Sequence, residues 1–127
     1  SVRVTTLERD KTALLEFFAA TNGANWTASA NWSSANTVSA SWSGVEVTGG
    51  RVTGLRLPNN NIVGSVPESF ADLTGLTVID LSGNEINGFP NVSSSGDPSL
   101  NLSNNRLGIT DLLKNVSLTS YTYAPQK

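Results

Sequence analysis

Carboxylates are the only side chains in this sequence with an obvious claim to acid–base chemistry: ten Asp and Glu, with no His and no Cys in 127 residues. Without imidazole or thiol there is no Ser-His-Asp triad, no cysteine nucleophile and no zinc site of the usual ligands. Acids alone could still form a glycosidase pair, which needs two carboxyls about 5 to 10 Å apart across a cleft. The acids here are mostly single and fall in segments of different character, so no catalytic residue, metal ligand or cofactor is expected, and the chain is expected not to be an enzyme. The eight basic residues, Arg3, Arg9, Lys11, Arg51, Arg56, Arg106, Lys114 and Lys127, are scattered and the net charge is -2. That leaves no cationic stripe for a phosphate backbone and argues against nucleic acid. Trp26, Trp32 and Trp42 could form a carbohydrate-stacking platform, but all three precede the repeats among small residues, where bulky groups are needed to close a core. Asn-x-Ser/Thr triplets begin at Asn25, Asn31, Asn91, Asn101 and Asn115. With 14 Asn, 17 Ser and 13 Thr in the chain, chance supplies several such triplets, and none is counted as a site.

The elements that would position these residues emerge from a repeat. Val52, Leu55, Leu57, Asn60 and Ile62 recur 24 residues on as Leu76, Ile79, Leu81, Asn84 and Ile86. A third copy, Asp97, Leu100, Leu102, Asn105 and Leu107, comes after 21 residues, and a weaker fourth, Leu118, Tyr121, Tyr123 and Gln126, after another 21. Apolar residues two apart point to one side of a strand, and successive copies predict a stacked parallel sheet. Asn60, Asn84 and Asn105 stand just past each strand, where an amide can satisfy turn backbone that would otherwise be buried unpaired; they are assigned a structural ladder. Upstream, Thr5 to Ala20 reads as a helix with a Thr5/Glu8 capping box, Leu7, Leu14, Leu15 and Phe18 on one face, and a stop at Thr21-Asn22-Gly23. Gly44 to Leu55 reads as a hairpin turning at Gly49-Gly50. Asp111 to Val116 reads as a helical turn or two with Leu112, Leu113 and Val116 facing inward. Tyr121 and Tyr123 are expected to face the core of the last unit.

The repeat resembles the leucine-rich repeat signature. The stretch from Ile62 to Leu76, which begins Ile62-Val63-Gly64-Ser65-Val66-Pro67, resembles the plant-specific class. Asp10-x-x-Ala13-Leu14-Leu15-x-Phe17, Trp42-Ser43-Gly44-Val45 and Arg51-Val52-Thr53-Gly54-Leu55-Arg56-Leu57 are similar to the N-terminal cap that precedes such repeats. The family's cap cysteines are replaced by Ala40 and Val47, as in disulfide-free caps of bacterial and protist surface proteins. The resemblance implies an α/β fold: a short right-handed solenoid with its parallel sheet on the concave face, an N-terminal capping helix and a β-hairpin. Residues 1–51 would be the cap, and residues 52–127 about four repeats, the last truncated or capping.

A solenoid of this kind presents the strand residues that point away from its core. The central column is Arg56, Asp80, Asn101 and Thr122, flanked by Asn59, Ser82 and Ser103, and these seven are the candidate partner-binding residues. Parallel neighbours lie about 5 Å apart, so Arg56 and Asp80 are expected to pair. The implied function is an extracellular or cell-surface recognition or adhesion module that binds a protein or carbohydrate on another cell or matrix. The alternative is a structural cap and spacer of a larger surface protein, with no ligand of its own. No apolar run approaches the roughly 18 residues of a membrane helix, so no membrane insertion is expected of this segment. Ser1 is not a translation start and the fourth repeat breaks off, which suggests a monomeric piece of a longer chain.

Overall fold

The computed structural model describes residues 6–33, 35–93 and 97–127. Helix α1, Thr6–Ala20, opens it. Its buried stripe is Asp10, Ala13, Leu14 and Phe17, the i, i+3, i+4, i+7 spacing of one helical face. Phe17 therefore holds the centre expected of Phe18, while Leu7, Leu15 and Phe18 pack only partly buried against the core. The helix stops where Asn22 turns left-handed at φ 58, a conformation that Asn tolerates better than most residues. The capping box expected at Thr5 lies outside the described residues.

A hairpin comes next, β1 (Val45–Thr48) antiparallel to β2 (Arg51–Arg56). Its two-residue turn, Gly49-Gly50, has positive φ at both positions, 60 and 76, the requirement of the tight turns that match strand twist. From β2 the sheet grows by parallel addition. β4 (Val78–Asp80), β6 (Ser99–Asn101) and β7 (Tyr121–Thr122) join it in the order β1-β2-β4-β6-β7. Leu55, Ile79, Leu100 and Tyr121 are in register across four strands, so all four copies of the sequence repeat, including the aromatic one, take the same place. A second, two-stranded parallel sheet pairs β3 (Val63–Ser65) with β5 (Glu85–Gly88) on the return path of two repeats. Parallel strands separated by irregular returns and short helices make this an α/β arrangement.

One hydrophobic cluster runs through the chain, from Ala13 and the three tryptophans to Leu118. Trp26, Trp32 and Trp42 are 6%, 6% and 1% exposed, each indole N–H donating to a backbone carbonyl, those of Thr21, Ser43 and Thr37. This arrangement leaves no open stacking platform. Ring contacts link Trp42 to Trp32 at 5.4 Å and Trp32 to Trp26 at 4.9 Å. They continue from Trp26 to Phe17 at 5.3 Å, Phe17 to Phe70 at 5.2 Å and Phe70 to Phe89 at 5.5 Å. The aromatics of the N-terminal region and of the first two repeats thus share one core.

Several expectations give way near the C-terminus. Helix α2 is Ile109–Leu113, and of the residues expected to face inward only Leu112 does; Leu113 and Val116 are 56% and 57% exposed. The buried positions after Leu112 are Asn115 and Leu118, both beyond the end of α2 at Leu113, so the inward face expected to run on to Val116 stops with the helix. Tyr123 is 43% exposed, because β7 ends at Thr122 and the chain beyond it no longer alternates as a strand. At the third repeat the polar Asp97 points outward, and the neighbouring Pro98 is buried in its stead.

Candidate partner-binding face and its supporting ladder

The seven candidate residues come together on the edges and outer side of the five-stranded sheet, but not with the chemistry expected of all of them. Arg56, Asp80, Asn101 and Thr122 are in register on β2, β4, β6 and β7. Arg56 does not pair with Asp80. Its Nε lies 3.4 Å from Glu46 Oε1, with both side chains more than half exposed, because the hairpin brings Glu46 alongside on β1 opposite Gly54. Glu46 also covers Gly54, leaving that position buried. Asp80 meanwhile turns onto its own chain: its Oδ1 accepts from the Ser82 N–H at 3.1 Å and the Ser82 hydroxyl at 2.7 Å. A short side chain bonded two residues on keeps its geometry at lower entropic cost than a bridge to a long arginine.

The same Asx turn recurs one repeat later, where Asn101 Oδ1 accepts from the Ser103 N–H at 3.0 Å and its hydroxyl at 2.8 Å. Ser103 is only 7% exposed, which removes it from the accessible set. Ser82 is half-buried, whereas Asn59 and Thr122 are exposed. Asn59 adopts φ 51 and leans over Gly83, where an added Cβ would come within 2.0 Å of Asn59 Oδ1 at a φ of 71. The left-handed backbone favours Gly at position 83, while the Asn59 amide could swing aside for a side chain there. The face therefore reduces to exposed Arg56, Asn59 and Thr122 with half-buried Asp80, Ser82 and Asn101, joined by Glu46 from the hairpin.

Behind this face the amides are buried and fully engaged. Asn84, 1% exposed, accepts at Oδ1 from the N–H groups of Asn60 and Ile62 at 2.7 and 3.1 Å. Its Nδ2 donates to the carbonyls of Leu57 and Leu81, both at 2.9 Å. Asn105 repeats the pattern, accepting from Ile86 N–H at 3.0 Å and donating to Leu81 and Leu102 carbonyls at 2.9 and 3.1 Å. At the N-terminal end Asn60 exchanges bonds with both backbone groups of Ala28, at 2.6 and 2.8 Å. At the other end Gln126 does the same work, accepting from Leu107 N–H and donating to the Leu102 carbonyl.

This ladder, spaced like the strands that precede its amides, coincides with what comparison with known proteins finds. Residues 50–107 match the family described as leucine rich repeat. Residues 50–107 are leucine-rich repeats. A further match, 40% identical over 83 residues, is to "Probable inactive receptor kinase RLK902" of Arabidopsis thaliana; it covers 65% of this chain and 12% of that relative. The chain thus spans about an eighth of the relative's length. No solved structure gives a match.

Two buried polar groups were given no bonding role in the reading of the sequence. Asp10, fully buried, receives Arg51 Nε at 3.2 Å, Arg51 Nη2 at 3.3 Å and the Val52 N–H at 2.9 Å, tying α1 to the first residues of β2. Its place three before Ala13 and four before Leu14 was the available signal, since it shares their helical face. A cleft of about 680 Å³ lies beside the pair, lined among others by Arg9, Glu16 and Asp72. Asn115, also fully buried, accepts from Val92 N–H at 2.8 Å and donates to the Pro90 carbonyl at 3.0 Å, joining two returns as the ladder joins two strands.

Charge is managed locally at the C-terminal end. Glu85 is held below its ordinary carboxylate range by hydrogen bonds from Lys127 and Arg106. Asp97 is lowered by the Thr119 hydroxyl and N–H. Burial, with lesser contributions from Tyr123 and Asp111, pushes Tyr121 up to about 12, and its hydroxyl donates to the Leu112 carbonyl at 2.8 Å. Among the described residues no group of three or more acids, His or Cys is placed to hold a metal, and no helix is long and apolar enough to cross a membrane.

Proposed function

We propose that this protein is a recognition module: a right-handed leucine-rich-repeat solenoid, capped by residues 1–51, whose strand face binds a protein or glycan partner at a cell surface. The observation that carries the reading is the register of Arg56, Asp80, Asn101 and Thr122, which forms one row of four different polar side chains, exposed at its two ends and half-buried between them. A row without repetition is suited to a specific partner rather than to a periodic one. The match to a receptor kinase supports a surface location. Binding is favoured over catalysis because several acids are engaged structurally, as in Asp10 with Arg51 and Glu85 with Arg106 and Lys127.

A second reading has its own observation. Glu46, Arg56, Asp80, Ser82, Asn101 and Ser103 all bond within the chain, so the face is largely self-satisfied, as a spacer's surface would be. Displayed panels of extracellular proteins and glycans distinguish the two. The recognition reading expects a hit that is lost in an Arg56→Ala/Asp80→Ala/Asn101→Ala/Thr122→Ala variant and kept in Leu113→Ser. No binding by the parent favours the spacer, and equal binding by both variants overturns the row as the contact surface.

A further inference from the structure

The fold treats the five Asn-x-Ser/Thr triplets very differently. Asn115 is fully buried, with both amide atoms bonded inside the core. Asn31 is exposed, but its Nδ2 is spent on the Ser41 carbonyl at 2.8 Å. Asn101 forms an Asx turn with Ser103, yet it is half-buried in the middle of the sheet and its serine is buried. Asn25 is exposed, but the N–H of its Thr27 is committed to the Asn60 carbonyl, so that triplet forms no such turn. Asn91 alone combines both properties. It is exposed, and its Oδ1 accepts from the Ser93 N–H at 2.8 Å and the Ser93 hydroxyl at 2.6 Å, while Nδ2 has no partner among the described residues.

We propose that Asn91 is the position at which this fold accepts an N-linked oligosaccharide when it passes through a eukaryotic secretory pathway. Two hydrogen bonds to the amide oxygen draw electron density from the nitrogen and make its N–H more acidic. They also fix the carboxamide by its oxygen and leave the nitrogen to the solvent side. The transfer forms a bond between Nδ2 and the anomeric carbon of a lipid-diphosphate-linked oligosaccharide. The carbon–oxygen bond to the diphosphate breaks, the lipid diphosphate leaves with the bonding pair, and one amide proton is lost to a base. Asn91 comes after β5 on a return segment, its neighbour Val92 bonded to Asn115, so a glycan there leaves the row from Arg56 to Thr122 open. A glycan on Asn101 would cover that row. The proposal is independent of which partner, if any, the row binds.

The test is secretion of the chain from a eukaryotic host, then release with peptide N-glycosidase, which leaves Asp at each occupied position, and peptide mass mapping. Occupancy is expected at Asn91, with loss of the glycoform in both Asn91→Gln and Ser93→Ala, and no change in Ser117→Ala, which destroys the Asn115 triplet without touching its buried amide. Cell-free translation with microsomes gives the same readout as a gel shift that does not depend on secretion; there too, Ser93→Ala should remove the shift. Bare Asn91 in the glycosidase map, occupancy at any of the other four equal to or above that at Asn91, or a microsomal shift unaffected by Ser93→Ala overturns the proposal.

Discussion

Replacing Asn84 by Ala tests whether the buried amides hold the repeats together. The substitution orphans the N–H groups of Asn60 and Ile62 and removes a donor from the carbonyls of Leu57 and Leu81. The Leu81 carbonyl keeps its bond from Asn105, so it is the donors that are left worst placed. A buried unsatisfied group costs about 1–3 kcal/mol, which puts two orphaned N–H groups at roughly 2–6 kcal/mol. Water entering the vacated amide volume satisfies part of this, so about 3 kcal/mol is expected, against a total stability of roughly 5–15 kcal/mol for a domain. At this chain length that corresponds to a fall in Tm of about 12 °C. The three buried tryptophans report unfolding directly, by fluorescence in urea. Asn25→Ala, which removes an exposed side-chain amide with no bond among the described residues, is the control and should stay within about 0.5 kcal/mol. A loss of less than about 1 kcal/mol for Asn84→Ala, or one equal to the control, would refute the ladder.

Asp10→Ala strands the part-buried Arg51 guanidinium and the Val52 N–H, and about 3–5 kcal/mol of stability should be lost in the same urea assay. Phe70→Ala, at the junction of the rings of Phe17 and Phe89, should cost about 3–5 kcal/mol, measured by calorimetry. Leu113→Ser should be neutral within about 0.5 kcal/mol, since that side chain is already 56% exposed; a core-sized loss would restore the inward-facing helix face read from sequence. Tyr121 is raised from 10.0 to about 12, so its neutral form favours the folded state: its contribution is fully present below pH 10 and is lost as pH rises through about 12. Ultraviolet titration should show this late phenolate step, absent in Tyr121→Phe.

Strand register and ladder spacing were legible because both are fixed by the backbone. A period-two apolar pair can face the core in only one phase, and an Asn three past Leu57, Leu81 or Leu102 falls at the same turn each time. The pairing of Arg56 was not legible because it depends on how far long side chains reach across strands. The repeat pattern put Asp80 beside Arg56, but nothing in that pattern carried the competing Glu46 from the hairpin or the local turn to Ser82. The end of α2 was misjudged for a related reason. Leu112, Leu113 and Val116 are apolar, but the helix ends at Leu113 and the next buried position belongs to Asn115, whose burial depends on bonds to Pro90 and Val92 some two dozen residues earlier. Asp10 shows the same bias in reverse: a carboxylate on the apolar stripe of a helix is discounted until its arginine, 41 residues on, is seen to reach it.

The direction of the ladder constrains how the face can vary. Asn84 satisfies donors on the repeat before it, those of Asn60 and Ile62, and Asn105 satisfies Ile86 in the same sense. Each of these repeats is therefore secured by its successor, and Gln126 continues the pattern by accepting from Leu107. The face residues Asp80 and Asn101 bond forward within their own repeat, to Ser82 and Ser103, and take no part in this coupling. Exchanging a face residue with its serine partner thus perturbs one repeat, while exchanging a ladder amide perturbs two. The dependence between repeats thus lies with the inward-facing residues and the buried amides, and the residues that point outward from the strands are free to differ from one repeat to the next, as Arg56, Asp80, Asn101 and Thr122 do.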